Sequence, residues 1–272
     1  MVDVTKLSGA TFREWELHEE LGRGGSAIVY AAQKGTQHAA IKIFLLDALG
    51  KHGFSVELER LELQLQLKGK KQHLHLVEIF EGGVAEELGS TLFLVMEKVD
   101  GQTLDKVLPE IPRASLGTLI KQLSDAAQFL EQQDLVHRDI KPENIVINDS
   151  FSSLTLLDFG VVKNLLEDES GRLSGNRFVA TPRYSPPEFV WRNEVESPEA
   201  WRAITFYQIG GTLHDLIMKK RLFDGQDEPP ARLYDSIKLT SPAITANDCD
   251  DWLVVLAKSC LVKDWRERLR LV

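Results

Sequence analysis

The stretch His137-Arg138-Asp139-Ile140-Lys141-Pro142-Glu143-Asn144 carries the densest chemistry of the sequence. Within six residues it offers a carboxylate, an ammonium and a carboxamide, on Asp139, Lys141 and Asn144. A second motif, Asp158-Phe159-Gly160, begins fourteen residues after Asn144. A carboxylate can accept a proton, an ammonium can neutralise an anion, and amide and carboxylate oxygens are the ligands that magnesium prefers. The spacing therefore predicts one site in which these side chains act together.

A glycine-rich stretch, Leu21-Gly22-Arg23-Gly24-Gly25-Ser26-Ala27-Ile28-Val29, lies between two runs that we predict to be strands. Glycine lets a backbone turn tightly and approach phosphate oxygens without a Cβ in the way. Glycine-rich hairpins are common, so this motif is weak by itself. Lys42 follows Val29 by thirteen residues, in Ala39-Ala40-Ile41-Lys42. A lone strand lysine is ordinarily just exposed, so its meaning depends on the motifs around it.

The hydrophobic pattern of the first hundred residues predicts strands and one helix. Apolar residues spaced three or four apart predict the helix, whose stripe is Phe54, Leu58, Leu61 and Leu65. Short, partly β-branched runs predict strands at 28–30, 39–43, 76–80 and 91–99. Asp100-Gly101 interrupts the pattern, and we predict a hinge there.

Beyond the predicted hinge the pattern is mainly helical. Ser115 is the predicted N-cap of a helix whose apolar stripe is Leu116, Leu119, Ile120, Leu123, Ala127 and Leu130. Short strands are predicted at 145–147 and 154–157, and further helices at about 201–218, 230–238 and 249–261. This order predicts an α+β protein with a small β-rich N-lobe, residues 1–98, and a larger α-helical C-lobe, residues 99–272.

Composition bounds the class of protein. The chain is 43% hydrophobic and 27% charged, which is typical of a globular protein. Its net charge of −9 argues against nucleic acid as the main partner and leaves protein surfaces, or a solvated acidic surface kept for solubility. Two cysteines, Cys249 and Cys260, predict no disulfide framework and a reducing, cytoplasmic location. The sequence offers no apolar run of membrane length and no secretory signal.

Taken jointly, the motifs resemble those of the eukaryotic-type serine/threonine protein kinase catalytic domain, over about residues 15–270. The resemblance implies a bilobal kinase fold with one helix, called helix C, in the N-lobe. It implies ATP and Mg²⁺ as cofactors, and transfer of the γ-phosphate to serine or threonine hydroxyls of protein substrates. Lysine at position 141 is typical of serine/threonine specificity. Self-association for autophosphorylation of the activation loop is a further expectation.

The resemblance also assigns roles to the chemical residues. Asp139 would accept or orient the substrate hydroxyl, and Lys141 would neutralise the transferred phosphoryl group. Asn144 and Asp158 would hold magnesium. Lys42 would hold the α- and β-phosphates and pair with a glutamate of helix C, for which Glu57 is favoured and Glu59 and Glu62 stay open. His137 and Phe159 would be mainly structural.

A third group would bind the nucleotide. By the resemblance, Met96 precedes the kinase hinge, and backbone groups of Glu97–Val99 would hydrogen-bond adenine. All of these residues could equally be plain core residues. The implied nucleotide-binding set is Leu21, Gly22, Gly24, Val29, Ala40, Lys42, Met96, Glu97, Val99 and Val146.

The segment from Asp158 to Glu188 resembles the kinase activation segment, and its end, 181–188, resembles the stretch that seats a substrate. Glu188 should pair with Arg268 near the end of the chain. We predict that phosphate on Ser174, or else on Ser170, pairs with Arg138; both serines could also be ordinary loop residues.

Several positions depart from the family pattern. Ala27 replaces the third glycine of the loop, Ala180 replaces a glycine, and Pro186 replaces an alanine. Relatives carry an aspartate in a DxxSxG pattern that bonds the backbone of the catalytic loop, and Thr205 holds its place here. This leaves a pseudokinase, a nucleotide-binding scaffold without turnover, as the alternative. A small-molecule phosphotransferase is a third reading, disfavoured by the substrate-seating stretch.

Overall fold

The computed structural model describes residues 3–68, 73–158, 163–165 and 180–271, which fall in two compact units. The first unit holds residues 3–68 and 77–99, and the second holds 73–76 and the described residues from 100 onwards. The predicted division into residues 1–98 and 99–272 would place residues 73–76 in the first unit, whereas in the structure they belong to the second. The cause is pairing, because Leu76 bridges Leu156 and the Leu156 N–H donates to the His75 carbonyl at 2.9 Å.

The first unit is a six-stranded antiparallel sheet with one long helix. The strand order is β1-β2-β3-β4-β6-β5. The strands are β1 (Thr11–Phe12), β2 (Trp15–Arg23), β3 (Ala27–Lys34), β4 (Gln37–Phe44), β5 (Ile79–Ala85) and β6 (Thr91–Glu97), and the helix is α1 (Leu46–Leu65). The strands predicted at 28–30 and 39–43 are confirmed within β3 and β4.

One face of this sheet packs the core of the first unit. Side chains alternate along a strand, so every second residue of β3, β4 and β6 points to the same side. The core cluster contains Ile28, Tyr30 and Ala32 of β3, Ala39, Ile41 and Ile43 of β4, and Phe93 and Val95 of β6. The intervening residues of the same strands therefore lie on the opposite face of the sheet.

The second unit is mainly helical. Its helices are α2 (Leu104–Val107), α3 (Leu116–Glu131), α4 (Pro187–Val190), α5 (Pro198–Met218), α6 (Ala231–Leu239), α7 (Asp251–Cys260) and α8 (Trp265–Arg268). Its short strands are β7 (Gln102–Thr103), β8 (Leu135–Val136), β9 (Ile145–Ile147), β10 (Leu154–Leu156) and β11 (Lys163–Asn164). The predicted α+β class is confirmed. None of the described helices is both long enough and apolar enough to cross a bilayer.

Helix α5 is the centre of the second unit. It is buried almost all round from Tyr207 to Ile217, as expected of a helix enclosed by its neighbours. Ser197 caps its start by accepting the Ala200 N–H at 3.2 Å, and Pro198 occupies the first turn. Gly210 allows a close approach of α7, because an added Cβ would lie 2.4 Å from the Cβ of Cys260.

Two sequence predictions were wrong in detail. The strand predicted at 76–80 starts only at Ile79 and continues to Ala85, through a glycine pair that the apolar pattern did not indicate. Ser115 does precede α3, but its side chain makes no capping hydrogen bond. It belongs to a 3₁₀ turn that runs directly into the helix, so its backbone is helical rather than extended as an N-cap requires.

Candidate active site

The Asp139 carboxylate is the meeting point of the predicted catalytic loop. Its Oδ2 lies 2.9 Å from the Lys141 ammonium and accepts the Asn144 Nδ2 amide at 3.2 Å. Its Oδ1 accepts the backbone N–H of Thr181 at 2.9 Å. The side chains of Asp139 and Lys141 are only 14% and 19% exposed, so these contacts are largely shielded from water. The structure thus brings together three of the four side chains singled out around this loop.

His137 is held in one neutral form beside this carboxylate. Its Nε2 lies 2.9 Å from the Leu157 carbonyl, which can only accept, and its Nδ1 lies 3.3 Å from the Asp139 N–H, which can only donate. A neutral ring with its proton on Nε2 satisfies both contacts. Burial lowers the pKa of His137, outweighing the Leu157 carbonyl and the carboxylates of Asp139 and Asp158, which raise it. The ring is therefore a structural support for the loop.

The two predicted magnesium ligands are joined through Leu157. The Leu157 N–H donates to the Asn144 carbonyl at 2.7 Å, and Asp158 follows directly. Asn144 Nδ2 donates both to the Asp139 carbonyl, at 2.9 Å, and to the Asp139 carboxylate, which orients the amide and leaves Oδ1 as an oxygen that can face a cation. Asp158 has a left-handed backbone with φ of 51°. Hard oxygens of this kind fit Mg²⁺.

No group of three or more His, Cys, Asp or Glu side chains in the described part of the chain could hold a metal ion. Such clusters are typical of zinc and of transition metals, whereas magnesium uses few protein ligands together with phosphate oxygens. Phe159 and Gly160, the rest of the second motif, lie outside the described residues.

Thr181 contacts both chemical residues of the loop. The Lys141 ammonium donates to the Thr181 hydroxyl at 2.6 Å, and the Thr181 N–H is the group that binds Asp139. The Ser185 hydroxyl in turn donates to the Thr181 carbonyl at 2.9 Å. Sequence reasoning included Thr181 only as the start of the substrate-seating stretch. The structure attaches that stretch directly to the catalytic loop.

In the first unit, strand register places the predicted nucleotide residues on one face. Val29 lies opposite Lys42 across β3 and β4, and Gly22 lies opposite Val29 across β2 and β3. Ala40, two residues before Lys42, lies opposite Met96 across β4 and β6. Directly opposite residues share a face, so these side chains lie opposite the core face of the sheet.

The glycine-rich turn closes between β2 and β3. The Gly24 N–H donates to the Ala27 carbonyl at 2.9 Å, and Leu21 before it is 44% exposed. A Cβ added at Gly22 or Gly25 would meet no protein atom within 4 Å, so packing does not require glycine there. A side chain at Gly22 or Gly25 would extend into space that no atom of the described residues occupies.

The end of β6 limits which backbone groups could bind the predicted adenine. The Glu97 N–H already donates to the Glu78 carbonyl at 2.8 Å, so this N–H is not available to a base. Met96 and Val99 are partly buried, and Glu97 is exposed. Val146, the remaining residue of the predicted set, lies in β9 of the second unit and is 6% exposed.

Helix α1 favours Glu57 over its two competitors. The Glu57 side chain is 14% exposed and pairs with Arg60, whereas Glu59 and Glu62 are exposed. A Cβ at Gly82 would lie 3.0 Å from Leu61 Cδ1 and 3.3 Å from Leu94 Cδ1. Leu94 is opposite Lys42 in the sheet, so α1 packs over the face that carries this lysine.

Comparison with known proteins agrees with this geometry. The sequence model that describes the protein kinase domain family matches residues 15–271 of this chain. The chain belongs to the protein kinase family.

Several bacterial kinases are among its curated relatives. A probable serine/threonine-protein kinase PknB of Corynebacterium glutamicum is 25% identical over 218 residues, 78% of this chain and 32% of the relative. The serine/threonine-protein kinase PknB of Mycolicibacterium smegmatis is 27% identical over 82% of this chain and 35% of the relative. PknH of Mycobacterium bovis is 31% identical over 77% of this chain and 34% of the relative. The chain thus spans about a third of the length of the curated relatives it matches.

The kinase pair between Glu188 and Arg268 is confirmed. Arg268 is fully buried and donates to Glu188, while its other nitrogens donate to the carbonyls of Ala203, at 2.9 Å, and Val262, at 2.6 Å. Burial raises the pKa of Glu188, and the guanidinium of Arg268 acts in the opposite direction. The pair ties α4 to the end of the chain.

Around Arg138 the kinase presents two cations and an acidic partner. The Arg138 guanidinium lies 5.8 Å from the Trp201 ring and the Lys163 ammonium 5.7 Å from it. Lys163 pairs with Glu196 at 3.5 Å, and Trp201 Nε1 donates to the same carboxylate at 3.1 Å. Ser170 and Ser174, the predicted phosphate acceptors, lie outside the described residues.

Thr205, which holds the place of the family's aspartate, bonds within its own helix. Its hydroxyl donates to the Trp201 carbonyl at 3.1 Å, inside α5, instead of bonding the catalytic loop. The side chain that α5 does extend to the loop is Gln208, three residues later. Sequence reasoning passed over Gln208 because it occupies the serine position of the family's DxxSxG pattern.

Proposed function

We propose that the chain is an ATP- and Mg²⁺-dependent protein kinase that phosphorylates serine and threonine hydroxyls of protein substrates. The observation that carries the proposal is the set of contacts on the Asp139 carboxylate. Lys141, Asn144 and the Thr181 backbone all converge on it, in an arrangement with a proton acceptor, a cation and an oxygen ligand within a few ångströms. Phosphoryl transfer depends mainly on such positioning and electrostatics.

Each residue has a stated part in the reaction. Asp139 orients the acceptor hydroxyl and takes its proton, and Lys141 neutralises charge on the transferred phosphoryl group. Asn144 and Asp158 would hold Mg²⁺, which would supply positive charge to the phosphate oxygens. Lys42, supported by Glu57, holds the α- and β-phosphates. The face of the sheet opposite the core binds the base, with Val29, Ala40 and Met96, and the glycine-rich turn covers the phosphates.

The wider biology follows from the same proposal. Proteins with serine or threonine acceptors are the substrates, and self-association allows one molecule to phosphorylate the activation loop of another. We place the protein in the cytoplasm, since both of its cysteines are free and a reducing compartment suits them. The relatives' names support serine and threonine as acceptors.

ADP production in the presence of ATP, Mg²⁺ and a mixed peptide library tests the proposal. We expect a turnover of roughly 1–100 per second for the activated protein. Asp139→Asn, Lys42→Ala and Asp158→Ala should abolish transfer and leave the thermal unfolding temperature within a few degrees of native. If the native protein and Asp139→Asn produced ADP at the same background rate, the pseudokinase alternative would be favoured. Retained activity in Asp158→Ala would refute the magnesium role.

A further inference from the structure

Gln208 is a fully buried carboxamide in the middle of α5, and both ends of it bind the catalytic loop. Its Oε1 accepts the Ile140 N–H at 3.2 Å, and its Nε2 donates to the Arg138 carbonyl at 2.6 Å. Those two backbone groups belong to the peptide units on either side of Asp139. We propose that Gln208 is the positioning residue of the catalytic loop and sets the direction of the Asp139 side chain. The inference rests on the proposed kinase function.

A carboxamide suits this task because it carries a donor and an acceptor. An ionised carboxylate only accepts, so it could bind the Ile140 N–H but would repel the Arg138 carbonyl. The loop also needs restraint, since Arg138 has a left-handed backbone with φ of 66°, which a residue with a long side chain seldom adopts. By satisfying both flanking peptide units at once, Gln208 holds this turn in place.

Gln208 takes over from the aspartate that relatives carry at the place of Thr205. Residues 205 and 208 are three apart on one helix and therefore share a face. Thr205, with His137 and Ile140, lines a small cavity of about 10 Å³. Thr→Asp adds one heavy atom to the side chain, and the cavity is lined by Thr205 and by residues of the loop alike. An aspartate at 205 thus has a route to the loop, whereas threonine bonds back to its own helix.

The mechanism predicts a selective kinetic defect. The Gln208 carboxamide binds the backbone on either side of Asp139, whose proposed partner is the acceptor hydroxyl and not the nucleotide, so its loss should leave the KM for ATP near the native value. It should lower kcat, because a misplacement of a reacting group by about 1 Å costs about a hundredfold in rate. A purely structural role would lower stability without this split between kcat and KM.

The test compares three variants: Gln208→Ser, the double variant Thr205→Asp with Gln208→Ser, and Gln122→Ser. Gln122 is the matched control, because its carboxamide also spans two backbone groups, Ser152 O at 3.0 Å and Leu154 N–H at 3.0 Å, away from Asp139. We expect Gln208→Ser to lose about a hundredfold in kcat. The double variant should regain at least about tenfold, and Gln122→Ser should keep native kcat.

Hydrogen exchange of the Ile140 amide is measured on the same proteins and does not require catalysis. We expect faster exchange in Gln208→Ser and restored protection in the double variant. Native kcat in Gln208→Ser, or equal kcat and equal exchange in the single and double variants, would overturn the proposal. If the native protein itself made no ADP, the kinase function would fail, while the exchange result would still decide whether Gln208 holds the loop.

Discussion

His137 shows at the scale of one residue how burial selects a protonation state. The neutral ring donates to Leu157 and accepts from Asp139, so protonation of Nδ1 would remove a contact of the catalytic loop. The pKa of His137 is lowered first by burial and also by the nearby Lys141 ammonium. Since an unfolded histidine titrates near pH 6.5, the lowered value makes stability depend on pH.

We predict that the free energy of unfolding falls as the pH drops below about 6.5, by up to about 1.4 kcal/mol per pH unit from this group. In that window the unfolded chain binds a proton that the native chain refuses, and above it the contribution is complete. Urea unfolding at about pH 7 and about pH 5, compared with His137→Gln, measures it. Subtracting the pH dependence of His137→Gln from that of the native protein cancels the contribution of the carboxylates that both proteins share. An identical change in the free energy of unfolding with pH in the two proteins would contradict the role given to His137.

At the residue scale, the sequence predicted contacts between residues that are close in the chain. It did not predict contacts that depend on how far a side chain extends from its helix. Asp139, Lys141 and Asn144 could be grouped because one short loop must bring them close together. The contact of Gln208, rather than Thr205, with the loop was not predicted, since a pattern indicates which positions face the loop but not which side chain is long enough to reach its backbone. A glutamine among apolar residues of a buried helix was the available signal.

At the scale of elements, the strands and helices were predictable from periodicity, and their ends were not. Helix α1 begins at Leu46, well before Phe54, where the apolar stripe that predicted the helix starts. Because its first turns do not carry that stripe, the sequence pattern did not indicate where the helix begins. The register that puts Lys42, Ala40 and Met96 on one face follows from β3, β4 and β6 pairing in order. No local pattern shows this, because it depends on which strands become neighbours.

The pair between Glu188 and Arg268 provides a prediction about elements, since it joins α4 to α8. Arg268→Ala should reduce the free energy of unfolding by about 3–5 kcal/mol, because it leaves a buried carboxylate and several carbonyls without their partner. Urea unfolding measures the loss. Lys121→Ala is the control: its pair with Asp125 is solvent-exposed and worth about 0–1 kcal/mol. Equal losses in the two variants would show that the buried pair is not special.

At the scale of the whole molecule, the proposed kinase must be both enzyme and substrate if its activation segment is phosphorylated by itself. Arg138 and Lys163 are both largely buried beside Trp201, and Lys163 already has Glu196 as a carboxylate partner. A phosphate carries more charge than a carboxylate and accepts more hydrogen bonds, so it can compete for these cations. If one molecule phosphorylates the activation segment of another, activation depends on how often two molecules meet.

We therefore predict that the native protein phosphorylates Ser174, or else Ser170, of another molecule, and that the initial rate per molecule rises in proportion to protein concentration. Intact-mass and peptide mass spectrometry at several concentrations measure it. Asp139→Asn supplies the control, since alone it should carry no phosphate, yet it should gain phosphate on the same serine when mixed with native protein. A rate independent of concentration would mean transfer within one molecule. A fully active preparation without phosphate on either serine would exclude this mode of activation, leaving the Glu196 carboxylate as the partner of Lys163.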